Sequence, residues 1–262
     1  TRMGGRVATM IDFEKFHDLG YIRFSIDNFF ENDVDRINFN RIADKICAIP
    51  PTDEHWHYTM SVVGKHSDPE WPLLVTGSER EEKMKRAAEE GLHISQRWHT
   101  LPNYHDHTLG INYLVAKNIR KFYPEINENF DNLIFSDAIT LYKDGDHIEK
   151  HRDGSNQGRF CAILIYLNSE EPNIDGGGNL VVSGNIEGDS ENEISIKPVR
   201  GNVVLMDFNK HDPFHTVEPV KNGFLRYAYL AFLWNHDKLN ELQKPLWDKE
   251  RFQNNFYLSD IC

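Results

Sequence analysis

The chain has 262 residues, enough for one domain with a full core, and 29 Lys and Arg stand against 41 Asp and Glu for a formal net charge of −12. That balance argues against a nucleic-acid groove, where Lys and Arg dominate. Cys47, Cys161 and Cys262 are widely separated, with no Cys-x-x-Cys spacing and no disulfide framework. No run approaches the ~18 apolar residues of a membrane span, and no secretory signal is visible, so a reducing, cytoplasmic setting is expected.

Thr1 to Thr9 reads as the remnant of an expression tag. Met10 to Asp18 is a short helix or loop, and Gly20 to Phe24 a short strand. Phe39, Ile42, Ala43, Ile46 and Cys47 recur at helical spacing and predict one buried helical face, stopped by Pro50-Pro51. His55-Trp56-His57-Tyr58 reads as a strand or loop near the mouth of a site. Trp71 to Ser78 is a loop, and Ser78 is the expected cap of a charged helix from Glu79 to Glu90, with Glu81 in the capping-box position. Arg97-Trp98-His99 and Tyr104-His105-Asp106-His107 look loop-like. Their aromatic and polar groups make Arg97, Trp98 and Tyr104 candidates for a substrate wall. Ile111 to Tyr123 is an amphipathic helix ended by Pro124.

From Leu133 the pattern changes to strands: Leu133 to Tyr142, His147 to His151, Arg159 to Leu167, Leu180 to Ser183, Glu193 to Ile196, Asn202 to Phe208 and Gly223 to Trp234. Strands of this length between Gly, Asn and Asp turns predict a sandwich or jelly roll, buttressed on one sheet by the N-terminal helices. Leu239 to Phe256 is a polar extension, expected to be partly helical and anchored by Trp247 and Phe252.

His151 and Asp153 stand two apart at the end of a predicted strand, and His215 follows the predicted strand Asn202 to Phe208. Alternate strand residues project from one face, so His151 and Asp153 can turn to one ion while Arg152 points away. Two strands facing each other in one barrel would bring in His215. Two imidazoles and one carboxylate, leaving open positions, form the facial triad of non-haem Fe(II) oxygenases. His211 and His215 also have the H-x-x-x-H spacing of a zinc protease helix, but Pro213 breaks that helix and Asp212 replaces the Glu. Arg226 lies in an otherwise almost wholly apolar strand. An Arg there calls for an anionic partner, and its planar fork suits a carboxylate.

The stretch from Ile134 to Asn235 resembles the Fe(II)/2-oxoglutarate-dependent dioxygenases, in particular their prolyl-hydroxylase-like branch. The motifs that carry the resemblance are Tyr142, His151-Arg152-Asp153, Tyr166-Leu167-Asn168, Gly177-Gly178-Asn179-Leu180, and His215-Thr216-Val217-Glu218-Pro219 followed by Arg226. It implies a double-stranded β-helix, a mixed α/β jelly roll with a mainly β core, as a single domain over residues 10–262. The core would span about 133–235 and a C-terminal extension 236–262. It implies Fe(II), 2-oxoglutarate and O2, with His151, Asp153 and His215 on the metal and Arg226, Tyr142 and Tyr166 on 2-oxoglutarate. Succinate and CO2 would be released as a C–H bond is oxidised. Iron halogenases of this superfamily carry Gly or Ala where Asp153 stands, so hydroxylation, desaturation or oxidative cyclisation is expected instead.

The expected substrate is a small molecule, an amino acid or amino-acid-derived metabolite, with Arg152, Arg97 and Arg159 as candidates for its carboxylate. A prolyl or other side chain of a peptide or protein is the alternative, and a jelly-roll binding protein the non-enzymatic one. Neither a nucleic acid nor a membrane is expected as partner, and no oligomeric state follows from the sequence.

Overall fold

Apolar runs at helical spacing form helices in the first half of the chain, and short apolar runs broken by turn residues form strands in the second. The computed structural model describes residues 13–30, 32–65, 68–102, 105–153, 158–168, 175–184, 193–239 and 256–257. The helices are α1 (Phe13–Leu19), α2 (Ile26–Phe29), α3 (Asp33–Cys47), α4 (Gly77–Glu89), α5 (His105–Phe122) and α6 (Glu125–Glu128). The N-terminal strands are β1 (Tyr21–Ser25), β2 (His57–Val62), β3 (Leu74–Val75) and β4 (Ile94–Thr100). The remainder are β5 (Leu133–Tyr142), β6 (His147–His151), β7 (Arg159–Tyr166), β8 (Leu180–Val182), β9 (Ile194–Ile196), β10 (Asn202–Asp207), β11 (His215–Val217), β12 (Arg226–Asn235) and β13 (Phe256–Tyr257).

The strands run in the order β1-β10-β7-β12-β5-β4-β6-β11-β8-β9 and form a jelly roll. β4 is the corner between its halves. His99 and Thr100 pair with β5, and Gln96 and Arg97 pair with β6. The other edge of β4 pairs with β2, Trp98 opposite Thr59 and His99 opposite Tyr58. Arg97-Trp98-His99 is thus a strand and not the expected loop; pairing with three other strands overrides a local pattern rich in polar and aromatic groups.

Strand alternation sorts the core into two layers. On β12, Tyr227, Tyr229, Ala231 and Leu233 face outward, where Phe39, Ala43 and Ile46 of α3 and Ile111, Val115 and Ile119 of α5 pack. Ala228 points inward, with Leu230 and Phe232 on the same face, toward Tyr142, Leu164, Tyr166, Leu180 and Val217. The N-terminal helices therefore buttress one sheet, as expected, and leave the interior between the sheet halves to the site.

The cap of α4 falls two residues before its expected position. Thr76 is the N-cap and closes a capping box with Glu79. Thr76 and Ser78 both precede a Glu by three residues, and Thr76 wins because its extended backbone continues directly from β3. α5 begins at His105, earlier than the expected Ile111. No helix among the described residues is long and apolar enough to cross a membrane. Thr1 to Thr9, Tyr104, Trp247, Phe252 and Cys262 lie outside the described residues, as does the extension from 240 to 255.

Candidate functional site

β6 and β11 are antiparallel neighbours, with His215 opposite His151 and Val217 opposite Ile148. Between these pairs β6 has one residue more than β11, which is a β-bulge. In a regular strand Ile148 and His151 would point to opposite faces. The extra residue turns both inward: Ile148 packs on the inner cluster and the His151 ring lies 4.2 Å from that of His215. Thr216 Oγ1 donates to Ile148 O at 2.6 Å and ties the bulge together. The two His strands thus lie side by side instead of facing each other across a barrel. β11 itself, only three residues long behind Pro213, has no alternating pattern to announce it.

Asp153 follows the end of β6. Its Oδ2 lies 3.5 Å from His215 Nε2 and its Oδ1 3.7 Å from His151 Nε2. One ligand atom from each of the three residues falls within 4.8 Å of the others. His151 Nδ1 lies 2.8 Å from Glu149 O and His215 Nδ1 3.1 Å from Pro213 O. Both rings donate through Nδ1 to these carbonyls, which turns their Nε2 atoms to the shared centre. Burial pushes the Asp153 carboxyl up, but His215, Arg159 and His151 together outweigh it and hold Asp153 well below the usual carboxylate range. Burial, reinforced by the neighbouring His215, lowers His151. Burial also opposes charge on His215, but its bond to Asp153 overrides that and raises it. Two neutral-capable imidazoles and an ionised carboxylate with neighbouring positions open fit a non-haem Fe(II) ion.

Arg226 is 1 % exposed. Its Nε donates to Gly178 O at 2.8 Å and its Nη2 to Tyr166 Oη at 3.2 Å. The guanidinium carbon lies 4.5 Å from the Tyr142 ring centre and 5.0 Å from that of Tyr166. A side chain on Gly178, at φ +72°, would come within 3.2 Å of Arg226 Cδ, so the glycine admits the guanidinium stem. Burial drives the Tyr142 and Tyr166 phenols upward against the pull of Arg226, so both remain neutral donors. Among the described residues no carboxylate pairs with Arg226. A buried cation so placed, with two phenolic donors beside it, is built for an anionic ligand.

The other sequence candidates separate. Trp98 packs on the inner cluster, beside the site. Arg152 is exposed, its guanidinium 3.9 Å from the Phe214 ring centre, and Lys150 Nζ lies 5.4 Å from the same ring. Arg97 turns to the β5–β6 connection, where its Nε donates to Gly145 O at 2.6 Å. Arg159 pairs with Asp153. Phe214, Lys150, Phe232 and Trp234 also surround this region and were not singled out in the sequence. Phe214 immediately before a candidate ligand was the available signal.

Residues 138–234 match the sequence model of the 2OG-Fe(II) oxygenase superfamily. No similar sequence was found among curated proteins. Among solved structures, the chain is similar to a prolyl hydroxylase from Trichoplax adhaerens in complex with a hypoxia inducible factor oxygen degradation domain peptide fragment. The TM-score is 0.53 at 13 % identity, over 92 % of each chain. It is also similar to an oxidoreductase of the 2OG-Fe(II) oxygenase family from Burkholderia pseudomallei, with a TM-score of 0.48 at 14 % identity, over 86 % of this chain and 89 % of that one. At 13 % identity the likeness to the Trichoplax structure is one of fold.

Proposed function

We propose that this protein, an enzyme whose residues 138–234 match the 2OG-Fe(II) oxygenase superfamily, oxidises an unactivated C–H bond of a small molecule, an amino acid or amino-acid-derived metabolite. Fe(II), 2-oxoglutarate and O2 serve the reaction, and succinate and CO2 leave with the product. The observation that carries this reading is the convergent donor set of His151, Asp153 and His215, found in the same chain as a buried Arg226 with no described carboxylate to offset it.

His151, Asp153 and His215 would hold the iron, which when bound supplies the oxidant for decarboxylation and C–H attack. Arg226 takes the distal carboxylate of 2-oxoglutarate with the N–H groups that Gly178 and Tyr166 leave over. Tyr142 and Tyr166 donate to the same ligand as neutral phenols. Trp98 walls the substrate space. Arg152, with Lys150 beside it over Phe214, suits a substrate carboxylate at the rim.

Anaerobic addition of Fe(II) and 2-oxoglutarate to wild type and His215→Ala tests the reading. A visible charge-transfer band in wild type, lost in the variant, supports it; no band in folded wild type overturns it. Succinate release is then screened with free amino acids and with proline-containing peptides. Turnover of peptides alone would move the substrate to the peptide class.

A further inference from the structure

We infer that Arg159 is a positioning residue for the metal-facing carboxylate, fixing the orientation in which Asp153 presents its oxygens to the two histidines. This rests on the reading of His151, Asp153 and His215 as iron ligands. Arg159 opens β7, and its Nη1 donates both to the main-chain oxygen of Asp153, at 2.9 Å, and to the carboxylate Oδ1. One nitrogen thereby ties down the backbone and the side chain of the same residue.

The guanidinium is itself fixed. Its carbon lies 4.7 Å from the Phe232 ring centre and 4.9 Å from that of Trp234. Trp234 Nε1 donates to Ser136 Oγ at 2.9 Å. A chain of contacts thus runs from Ser136 on β5 through Trp234 on β12 to Arg159 and on to Asp153. An ordinary surface ion pair has no such backing, and here both partners are largely buried, at 20 % and 13 % side-chain exposure. Oδ1, held by Arg159, stands 3.7 Å from His151 Nε2, and Oδ2, which Arg159 leaves untouched, stands 3.5 Å from His215 Nε2. A carboxylate held in this way keeps one orientation, with Oδ2 left as the oxygen that Arg159 does not engage. A free one can swing away, or take an ion with both oxygens and use up an open position.

Charge and position make opposite predictions. A guanidinium this close to a divalent cation opposes its binding through space, so a role in charge alone means tighter binding once Arg159 is neutralised. A positioning role means weaker binding.

The experiment is anaerobic calorimetric titration of Fe(II) into wild type, Arg159→Gln and Arg159→Lys, with thermal melts to confirm folding. Arg159→Gln is expected to weaken Fe(II) binding by about 10- to 100-fold, the usual range for a ligand that loses its supporting hydrogen bonds. Arg159→Lys keeps the charge and one donor but not the fork, and is expected about 3- to 10-fold below wild type. Binding by Arg159→Gln as tight as wild type, or tighter, overturns the inference. If Arg159→Gln does not fold, Arg159→Lys decides, and unchanged affinity there overturns it. Wild type that fails to bind Fe(II) sinks the iron reading itself, whereas equal binding by wild type and variants sinks only the role of Arg159.

Discussion

A guanidinium at 1 % exposure, with one carbonyl and one phenol as partners, has lost most of its hydration without gaining a counter-charge among the described residues. An anionic ligand relieves that state. Arg226→Gln is therefore expected to weaken 2-oxoglutarate binding by about 1.5–3 kcal/mol, roughly 10- to 150-fold, in anaerobic titration of the iron-loaded protein. Affinity within twofold of wild type would place the co-substrate elsewhere. His99 is a second residue whose surroundings set its behaviour. Its Nδ1 lies 3.0 Å from Asp146 Oδ2, and both side chains are fully buried. Burial lowers the His99 imidazole although Asp146 pulls it upward. The unfolded chain protonates this His near pH ~6.5. Between that value and the lower folded one, the unfolded state binds more protons, so stability falls as pH is lowered through the window. His99→Asn can keep the bond to Asp146 through Nδ2 and does not titrate. The stability difference between wild type and this variant, from urea midpoints, should narrow as pH drops from about 7 to about 5; a constant difference refutes the assignment.

At the scale of elements, the bulge in β6 does what a regular strand could not. It turns Ile148 and His151 to one face, and Thr216 holds it by donating to Ile148 O. Thr216→Val keeps the shape and removes the donor. It is expected to cost about 1 kcal/mol of stability and to loosen metal binding, as His151 loses its fixed aim. Chemical denaturation and Fe(II) titration check both parts, and a variant destabilised but unchanged in metal affinity would separate the bulge from the site. The connection before β6 is secured from outside, by Arg97 on Gly145 O and by Gly145 N on Val220 O at 2.8 Å. Arg97 thereby supports the entry to the strand that carries His151.

At the scale of the molecule, one sheet serves two layers. The outer face of the half built from β5, β7, β10 and β12 is hydrophobic and covered by α3 and α5; its inner face carries Tyr142, Tyr166 and Arg226, toward the half that holds the histidines. The outer layer braces the sheet from behind, while the inner layer is apolar around the polar site groups. Phe135 lies wholly buried in that outer layer. Phe135→Ala should cost about 3–5 kcal/mol, through lost burial and the cavity left behind, as a shift of the urea midpoint. A loss under about 1 kcal/mol, close to the range of surface substitutions, would mean that the helices do not brace the sheet.

Much of this was legible in the chain itself. The bounds of β5 and β6, the His151-x-Asp153 spacing and the isolated Arg226 all depend on alternation and composition within one segment, which neighbouring residues encode. What tertiary structure alone decided was which distant segments meet. β11 lies beside β6, β4 is a corner strand, Arg159 belongs to Asp153 and Arg97 to a turn. Each of these is a pairing of hydrogen-bonding groups across the sheet or around a turn. A local pattern can offer such a group, but its partner is chosen only when the whole sheet closes and every buried donor and acceptor must be met.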